Sequence, residues 1–377
     1  MNAAKMSVDE ILASLEDGIR GFMESDRYRN YLRAVSRFRD YSVNNITLIS
    51  MQRPDATLVA GYSTWKKSFN RNVKKGEKGI RIIAPFPVQV EREKEVFDSM
   101  GNLRTEKVTV TVPRFRAVSV FDVSQTEGDP LPDLDPGMLE QKVDDYSVFR
   151  TALERCSPVP VRYGSLEGNT KGIFDTRNKR IVVKEGMSEA QTVKTLVHEI
   201  AHSLLHAAGT EGSSYASGTK EVEAESVAYT VCCSFGIDTS DYSFPYVSAW
   251  SRQMDLSGLK GSLERIRDTS SGMIRDIEDT CRLVRRERKI REISDGIASL
   301  ELPSVEMFGE SGTQEAAGNI AARLDDGRVL TVMLMLSDAL RTEKEPDRKE
   351  RIRELMDRTR EIAAADCCIR ELEKEER

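Results

Sequence analysis

Apolar residues recur every three or four positions through most of the first 50 residues, which is the spacing of helices that bury one face. Between residues 57 and 123 the pattern changes to short runs rich in β-branched residues, which are typical of strands. These runs lie at residues 80–83, 108–112 and 117–121. The charged segment 91–107 is expected to form an irregular hairpin excursion. Residues 1–125 are therefore predicted to form an α+β domain.

Proline, glycine and aspartate are concentrated in residues 126–140, which we predict to be a linker because such a segment cannot bury a face. Residues 141–256 begin with a helix, a short strand and a hairpin. A long helix through His206 and a second helix from about residue 220 follow. Residues 257–377 are mostly helical and charged. The chain is thus expected to be an α+β protein with a helical C-terminal region.

Composition limits the classes of protein to which the chain can belong. The net charge is −6, so any surface for nucleic acid must be local rather than spread over the whole protein. No apolar run reaches the ~18 residues of a transmembrane helix and no secretory signal is visible, so we expect a cytoplasmic protein without membrane contact. Two pairs of the six cysteines are adjacent and none is spaced as CxxC, which favours reduced thiols.

All three histidines of the chain lie within residues 198–206, in the sequence HEIAHSLLH. Residues four apart share one face of a helix, so His198 and His202 can direct their imidazole rings at a single metal ion. Glu199 follows the first histidine and can take the proton of a water molecule activated by that ion. The apolar surroundings of the motif favour this interpretation over a helix with incidental histidines. The motif therefore predicts a Zn²⁺-dependent metallopeptidase with Glu199 as the catalytic base.

A zinc site of this kind needs a third protein ligand. His206 lies about 6 Å beyond His202 along the same helix, and a continuous helix cannot wrap all three histidines around one ion. A carboxylate on the next helix is the better candidate, and that helix offers Glu221, Glu223 and Glu225. Glu221 and Glu225 share a face from which Glu223 points away. Either of the first two can therefore be the ligand.

This arrangement resembles the gluzincins, in which HExxH is followed on a second helix by a glutamate and, four positions later, by an acidic residue. The resemblance implies that Glu221 binds zinc and that Glu225 orients a ligand histidine. A zincin-like fold is accordingly expected for residues 141–256. The strand at residues 181–183 could bind an extended peptide by edge pairing or be an ordinary hairpin strand, and the two interpretations do not exclude one another.

A basic segment with interleaved aromatic residues lies in the amino-terminal domain. Eight lysines and arginines occur between residues 53 and 81, opposed only by Asp55 and Glu77. Basic groups that follow phosphates, together with aromatic rings that stack on bases, are a common means of binding single strands. The candidate DNA-binding residues are Lys66, Lys67, Arg71, Lys74, Lys75, Lys78, Tyr62 and Trp65. The alternative is that the aromatic residues belong to the core and the lysines form a solvated rim.

Four separated blocks of this domain occur in the order found in ArdC-type antirestriction proteins, which conjugative plasmids and integrative elements carry. The blocks are FRDYSVNNITLI from Phe38, GYSTW from Gly61, VKKGEKGI from Val73 and VFDVSQT from Val120. The resemblance implies that residues 1–125 bind single-stranded DNA and that a metallopeptidase-like domain follows. This second domain is also similar to ImmA/IrrE-type peptidases, whose HExxH and later Glu-x-x-Ala match residues 198–202 and 221–224.

The resemblance implies a mobile-element antirestriction protein that binds single-stranded DNA and carries a zinc-dependent peptidase for an unknown protein substrate. Two alternatives stay open. One is a regulatory peptidase of the ImmA/IrrE type that cleaves a repressor, with the DNA-binding domain providing localisation. The other is a non-catalytic DNA-binding protein that zinc merely stabilises, although such a site would not need a base beside its ligand.

Overall fold

The computed structural model describes residues 8–97, 103–131, 146–207, 217–237, 244–300, 314–325 and 327–375. It divides into two compact units, of which the first contains Met1–Tyr146 and Cys156–Asp276, and the second Ser147–Arg155 and Ile277–Arg377. The predicted amino-terminal domain and, apart from residues 147–155, the predicted peptidase domain lie within the first unit, and the boundary between them stays a prediction. Much of the predicted linker, from residue 132 onwards, lies outside the described residues.

Four helices form the α-helical part of the amino-terminal half. They are α1 (Val8–Gly21), α2 (Ser25–Arg37), α3 (Val43–Gln52) and α4 (Tyr62–Lys67). Helix α3 begins where the Ser42 side chain accepts a hydrogen bond from the Asn45 backbone N–H, which divides the predicted second helical stretch into α2 and α3. Tyr28 and Tyr31 of α2 are buried and stacked on one another, so this helix contributes large side chains to the core.

Five strands complete this half, namely β1 (Val59–Gly61), β2 (Arg71–Val73), β3 (Ile80–Phe97), β4 (Leu103–Asp122) and β5 (Thr126–Gly128). Strands β3 and β4 form a long antiparallel hairpin, with β1 on the other side of β4, while β2 pairs with β5. The hairpin is buried at its base, where Ile80 lies opposite Val120. The described part of segment 91–107 continues this hairpin as paired strand, so the expected hairpin excursion agrees with the structure, while its expected irregularity was wrong. Pairing satisfies the backbone there, and the side chains of residues 91–93 and Lys107 are exposed.

The second half of the first unit combines a small sheet with long helices. Its strands are β6 (Val161–Gly164), β7 (Gly172–Asp175) and β8 (Arg180–Lys184). Its helices are α5 (Tyr146–Cys156), α6 (Glu189–Leu205), α7 (Ser217–Ser234), α8 (Val247–Arg252) and α9 (Leu256–Ala298), of which α5 and α9 contribute residues to both units.

Strand β8 lies in the middle of this sheet, parallel to β6 on one side and antiparallel to β7 on the other. Its backbone is therefore paired on both sides, and the expectation that residues 181–183 bind a peptide by edge pairing is wrong. Within the described residues, the edges of this sheet are β6 on one side and β7 on the other. A hairpin pattern indicates which two strands pair, but not on which side a third strand is added.

The motif helix α6 runs through the interior of the first unit. It begins where the Ser188 side chain accepts a hydrogen bond from the Gln191 backbone N–H at 3.3 Å. Helix α7 packs against it, and the small apolar side chains of α7 are fully buried, namely Ala224, Val227, Ala228 and Val231. Small side chains allow two helices to approach closely. The acidic residues of α7 are thereby brought to the histidines of α6.

Helix α7 also packs against α2, which links the amino-terminal helices to the peptidase domain. The hydroxyl of Tyr28 lies 2.8 Å from Oγ of Ser226, and both side chains are fully buried. The Tyr28 ring meets the Phe244 ring edge-on at 5.1 Å between centroids. The helix that presents the acidic residues is therefore held on one side by the amino-terminal half of the chain.

The second unit is helical. Besides α5 and the later part of α9, it contains α10 (Gln314–Asp325), α11 (Val329–Thr342) and α12 (Pro346–Glu375). Aliphatic side chains such as Ile293, Leu336 and Ile352 form its core. The predicted α+β fold with a helical C-terminal region is confirmed. No helix among the described residues is long and apolar enough to cross a membrane.

Candidate functional site

Three side chains from two helices bring metal-ligating atoms together. His198 and His202 lie one turn apart on α6, and their Nε2 atoms are 3.0 Å from each other. Glu221 on α7 places Oε1 3.4 Å from Nε2 of His202 and Oε2 3.7 Å from Nε2 of His198. We call these three residues the ligand group.

The separations suit a small tetrahedral metal ion. Ligand atoms bound to zinc in tetrahedral directions are roughly 3.3–3.6 Å apart, because each bond is about 2.0–2.2 Å long. The observed separations of 3.0, 3.4 and 3.7 Å lie around this range. Two imidazole nitrogens and one carboxylate oxygen are also the donor set of a catalytic zinc site with an open fourth position. The side chain of Glu221 is 66% exposed, so the group is open to solvent on that side.

Glu199 projects from α6 beside the ligand group and is only 7% exposed. Strand β7 lies against it at Gly172, and the backbone N–H of Phe174 donates to its carboxylate. Burial raises the pKa of Glu199 above its usual value, although the two histidines and the Phe174 N–H oppose the rise. A carboxylate with a raised pKa is a stronger base than an exposed one. Glu199 therefore has the environment expected of a proton acceptor.

Glu225 lies on the other side of His198 from the ligand group. Its Oε2 is 3.1 Å from Nδ1 of His198, the ring nitrogen opposite the ligating Nε2. Burial alone lowers the pKa of His198, but the carboxylates of Glu225, Glu199 and Glu221 outweigh it and the pKa is raised. The pKa of Glu221 is lowered, chiefly by its contact with His202. Three carboxylates around two histidines make the site attractive to a cation.

A second polar cluster adjoins the ligand group. His206 ends α6, and its Nδ1 lies 3.2 Å from Nδ1 of His202. Its Nε2 lies 3.2 Å from Oε2 of Glu223, a side chain that is only 2% exposed. The other oxygen of Glu223 accepts hydrogen bonds from Ser262 at 2.7 Å and from Arg265. Glu223 thus points away from the ligand group, as helical spacing predicted, but it is buried among polar partners.

Sequence reasoning missed Ser262 and Arg265 because they follow Glu223 by 39 and 42 residues in a region without a motif. The signal that could have indicated a buried partner is the position of Glu223. It lies between the apolar residues Val222 and Ala224 in the sequence. A carboxylate in such a place needs a cationic or hydrogen-bonding neighbour.

Some of the predicted DNA-binding side chains in the amino-terminal half are exposed, and others form hydrogen bonds within the protein. Lys66, Lys67, Lys75 and Lys78 are exposed. Tyr62, the first residue of α4, is 54% exposed. These five side chains are accessible to a nucleic acid.

Three other predicted DNA-binding residues are engaged within the protein. Trp65 is fully buried and its indole N–H donates to the carbonyl of Phe121 at 2.9 Å, so the expectation that Trp65 stacks on a base is wrong for this fold. The guanidinium of Arg71 donates to the Thr126 side chain and to neighbouring backbone carbonyls. Lys74 is exposed, but its ammonium group donates to the backbone carbonyl of Ser124 at 3.0 Å. These contacts hold β4, β5 and the turn between them, which is a structural role.

Sequence reasoning also missed two exposed aromatic residues on the hairpin. Phe86 of β3 is 45% exposed and Phe115 of β4 is 60% exposed. The guanidinium of Arg116 lies 4.8 Å from the centroid of the Phe86 ring. The two rings lie on opposite faces of the hairpin, because Phe86 pairs with Arg114 and not with Phe115, and their neighbours along each strand are also exposed. The hairpin is therefore solvated on both faces at this point, and no alternation of apolar and polar residues in the sequence marks the two rings.

Two family models match the chain. The N-terminal domain of the anti-restriction factor ArdC matches residues 1–121. The IrrE N-terminal-like domain of the M78 peptidases matches residues 155–233. The ligand group and Glu199 lie within the second match.

Individual proteins are similar to the chain at low identity. An uncharacterized protein of Bacillus anthracis is 26% identical over 289 residues, which are 68% of this chain and 48% of that protein. The chain therefore spans about half the length of this curated relative. Crystal structures of the antirestriction ArdC protein from the R388 plasmid, metal-free and Mn(II)-bound, are 19% and 17% identical, with TM-scores of 0.40 and 0.37. Each match covers 64% of this chain and 85% of the ArdC chain.

The order of the two family matches agrees with the order of the motifs along the sequence. The amino-terminal blocks lie within residues 1–121 or extend a few residues beyond them, and the HExxH motif lies within residues 155–233. The chain thus combines a region similar to the N-terminal domain of the anti-restriction factor ArdC with a following region similar to the IrrE N-terminal-like peptidase domain.

Proposed function

We propose that this chain is an antirestriction-type protein of a mobile element, in which a single-stranded-DNA-binding domain is joined to a zinc-dependent peptidase. The observation that carries the peptidase half is the convergence of His198, His202 and Glu221 at tetrahedral spacing beside the buried carboxylate of Glu199. The match to the ArdC N-terminal domain supports the DNA-binding half.

The residues of the site have separate tasks in peptide hydrolysis. A zinc ion held by the ligand group would supply a Lewis acid that polarises the scissile carbonyl and the attacking water. Glu199 accepts the proton of that water and passes it to the leaving amine. Glu225 fixes the ring of His198. Strand β7, as the edge of the sheet beside Glu199, offers its backbone to an extended segment of the protein substrate.

The proposed zinc site is tested by elemental analysis of the metal bound to the purified protein. The wild type is compared with Glu221→Ala and Glu225→Ala. Glu167→Ala is the control, because Glu167 is an exposed glutamate of the same domain. We expect one zinc per chain, lost with Glu221→Ala and weakened with Glu225→Ala. Protein that holds no zinc, or zinc that is indifferent to both variants, would overturn the peptidase proposal.

The DNA half is tested by fluorescence anisotropy with a labelled single-stranded oligonucleotide and with the same sequence as a duplex. We expect preference for the single strand, weakened by the double variant Lys66→Ala/Lys67→Ala because phosphate contacts are lost. The control is Arg177→Ala/Lys344→Ala, which removes two exposed charges elsewhere. Equal binding of both DNA forms, or equal weakening by both double variants, would contradict a specific single-strand surface.

A second candidate function, a regulatory peptidase that cleaves a repressor, is favoured by the match of the second domain to the IrrE N-terminal-like domain. The variant Glu199→Gln separates the two. If the variant still protects incoming unmodified DNA from restriction, DNA binding carries the antirestriction activity. If protection is lost while the variant binds zinc and DNA normally, proteolysis of a partner is the primary function.

A further inference from the structure

We propose that His206 and Glu223 are positioning residues that hold His202 in the tautomer and orientation required to bind the metal ion. This inference rests on the proposed function, since it concerns the same ligand group. It explains why two buried polar side chains that do not themselves bind the metal ion lie next to the ligand group.

The contacts form a continuous chain from α9 to the ligand group. Ser262 and Arg265 donate hydrogen bonds to Oε1 of Glu223. Oε2 of Glu223 faces Nε2 of His206 at 3.2 Å. Nδ1 of His206 in turn faces Nδ1 of His202 at 3.2 Å. The remaining nitrogen of His202, Nε2, belongs to the ligand group.

The carboxylate at the end of this chain fixes which atom carries each hydrogen. An ionised carboxylate only accepts, so Nε2 of His206 carries the hydrogen that faces Glu223. Nδ1 of a neutral His206 is then an acceptor, and the hydrogen between the two rings belongs to Nδ1 of His202. The lone pair of His202 is therefore on Nε2, which lies 3.4 Å from Oε1 of Glu221. This is the tautomer in which His202 can bind a metal ion through Nε2.

Burial makes the chain of contacts rigid. The side chain of Glu223 is 2% exposed and that of His206 is 10% exposed. Rotation of either would leave hydrogen-bonding groups unsatisfied in a low-dielectric interior, where the penalty is large. His206 is also prevented from joining the ligand group, because one of its nitrogens faces Glu223 and the other faces the Nδ1 side of His202.

The two ligand histidines are thus supported in different ways. Glu225 contacts His198 directly, whereas Glu223 reaches His202 through an intervening imidazole. Loss of a group that orients a metal ligand typically lowers metal affinity about 10- to 100-fold. We expect the same range for the loss of His206.

The first test measures zinc affinity by competition with a chelating dye for wild type, His206→Phe and His206→Gln. His206→Phe keeps a ring but removes both nitrogens, and we expect affinity to fall about 10- to 100-fold. His206→Gln offers a carbonyl oxygen that can accept the hydrogen of His202 Nδ1, so it should retain more affinity than phenylalanine. Glu167→Gln, on the exposed surface, serves as the control and should leave affinity unchanged.

The second test needs no variant and uses long-range ¹H–¹⁵N spectra of the zinc-loaded wild type. The chain has only three histidines, so three ring systems can be assigned. We expect His202 to carry its hydrogen on Nδ1 and His206 to carry it on Nε2 without zinc coordination. This measurement keeps the inference testable even if His206→Phe does not fold.

Four outcomes would overturn the inference. Unchanged zinc affinity of His206→Phe would leave His206 without a positioning role. Zinc coordination by His206, or a hydrogen on its Nδ1, would contradict the tautomers assigned above. If the wild-type chain binds no zinc, the proposed function is overturned together with this inference. If the wild type binds zinc and one of the other outcomes is found, only the inference is overturned.

Discussion

Gly172 lies so close to Glu199 that a β-carbon at this glycine would be 2.9 Å from both Cγ and Oε1 of the glutamate. The same β-carbon would be 2.5 Å from Cγ2 of Thr195. The absence of a side chain at Gly172 of β7 therefore determines where the carboxylate of Glu199, the candidate base, can lie. A displacement of about 1 Å in a reacting group can cost about 100-fold in rate.

We therefore expect Gly172→Ala to lower peptidase activity about 10- to 100-fold while zinc stays bound, because the ligand group itself is not displaced. Overpacking should also lower the free energy of unfolding by about 1–3 kcal/mol. Gly164→Ala on β6 is the matched control, since a β-carbon there meets nothing within 4 Å. Activity, zinc content and thermal unfolding are measured together. Equal activity of both alanine variants would show that Gly172 does not set the position of Glu199.

The hydrogen bond between Tyr28 and Ser226 joins the amino-terminal helices to the helix that carries Glu221. The Ser226 hydroxyl donates to the carbonyl of Val222, so its oxygen accepts the hydrogen of Tyr28. We expect Tyr28→Phe and Ser226→Ala each to lower the free energy of unfolding by about 1 kcal/mol. In a double-mutant cycle their effects should be less than additive, with a coupling of about 0.5–1.5 kcal/mol. Additive losses would mean that the two hydroxyls do not interact.

Local patterns predicted the parts of the site that a single helix determines. The four-residue spacing of His198 and His202 makes their convergence a property of α6 alone. The approach of Gly172 to Glu199 depends instead on the order of strands in a sheet, which no local pattern encodes. The bond from Arg265 to Glu223 spans 42 residues and could not be predicted for the same reason.

Trp65 illustrates the opposite error, in which a local pattern fits two structures. Aromatic residues among lysines occur in a stacking surface for DNA and also in a short amphipathic helix that buries one ring. Helix α4 is of the second kind, with Trp65 buried and the following Lys66 and Lys67 exposed. Its complete burial and its hydrogen bond to the Phe121 carbonyl identify it as a core residue.

The two aromatic residues of α4 should consequently respond differently to substitution. Trp65→Phe loses a buried hydrogen bond and part of a packed ring, so we expect the free energy of unfolding to fall by about 1–3 kcal/mol. Tyr62→Ala removes an exposed ring, so we expect a stability change within about 0.5 kcal/mol and weaker binding of single-stranded DNA. Chemical denaturation and fluorescence anisotropy measure the two effects. If Trp65→Phe kept the stability of the wild type but bound single-stranded DNA more weakly, Trp65 would contact the bases after all.

Asp122 gives the amino-terminal half a dependence on pH. Its buried carboxylate accepts hydrogen bonds from the backbone N–H groups of Thr57 at 2.8 Å, Leu58 at 3.2 Å and Ser124 at 3.0 Å. Burial by itself raises the pKa of Asp122, but these bonds and the Ser124 hydroxyl outweigh it and hold the pKa below its usual value. A lowered pKa means that the ionised form stabilises the fold. This stabilisation is present above the unfolded-state pKa of about 4 and is lost as the pH falls through the lower folded-state pKa.

We therefore expect Asp122→Asn to lower the free energy of unfolding by about 1–3 kcal/mol at pH 7, with a smaller difference from wild type at about pH 3. Urea unfolding can be followed by the fluorescence of Trp65, whose indole bonds to the residue before Asp122, in a Trp250→Phe background. Asp55→Asn is the control, because the Asp55 side chain is 77% exposed. If Asp122→Asn were equally destabilising at both pH values, its effect would come from lost packing and not from the charge. A difference that disappears at low pH identifies the hydrogen-bonded carboxylate as the element that fixes the start of β1 against the end of β4.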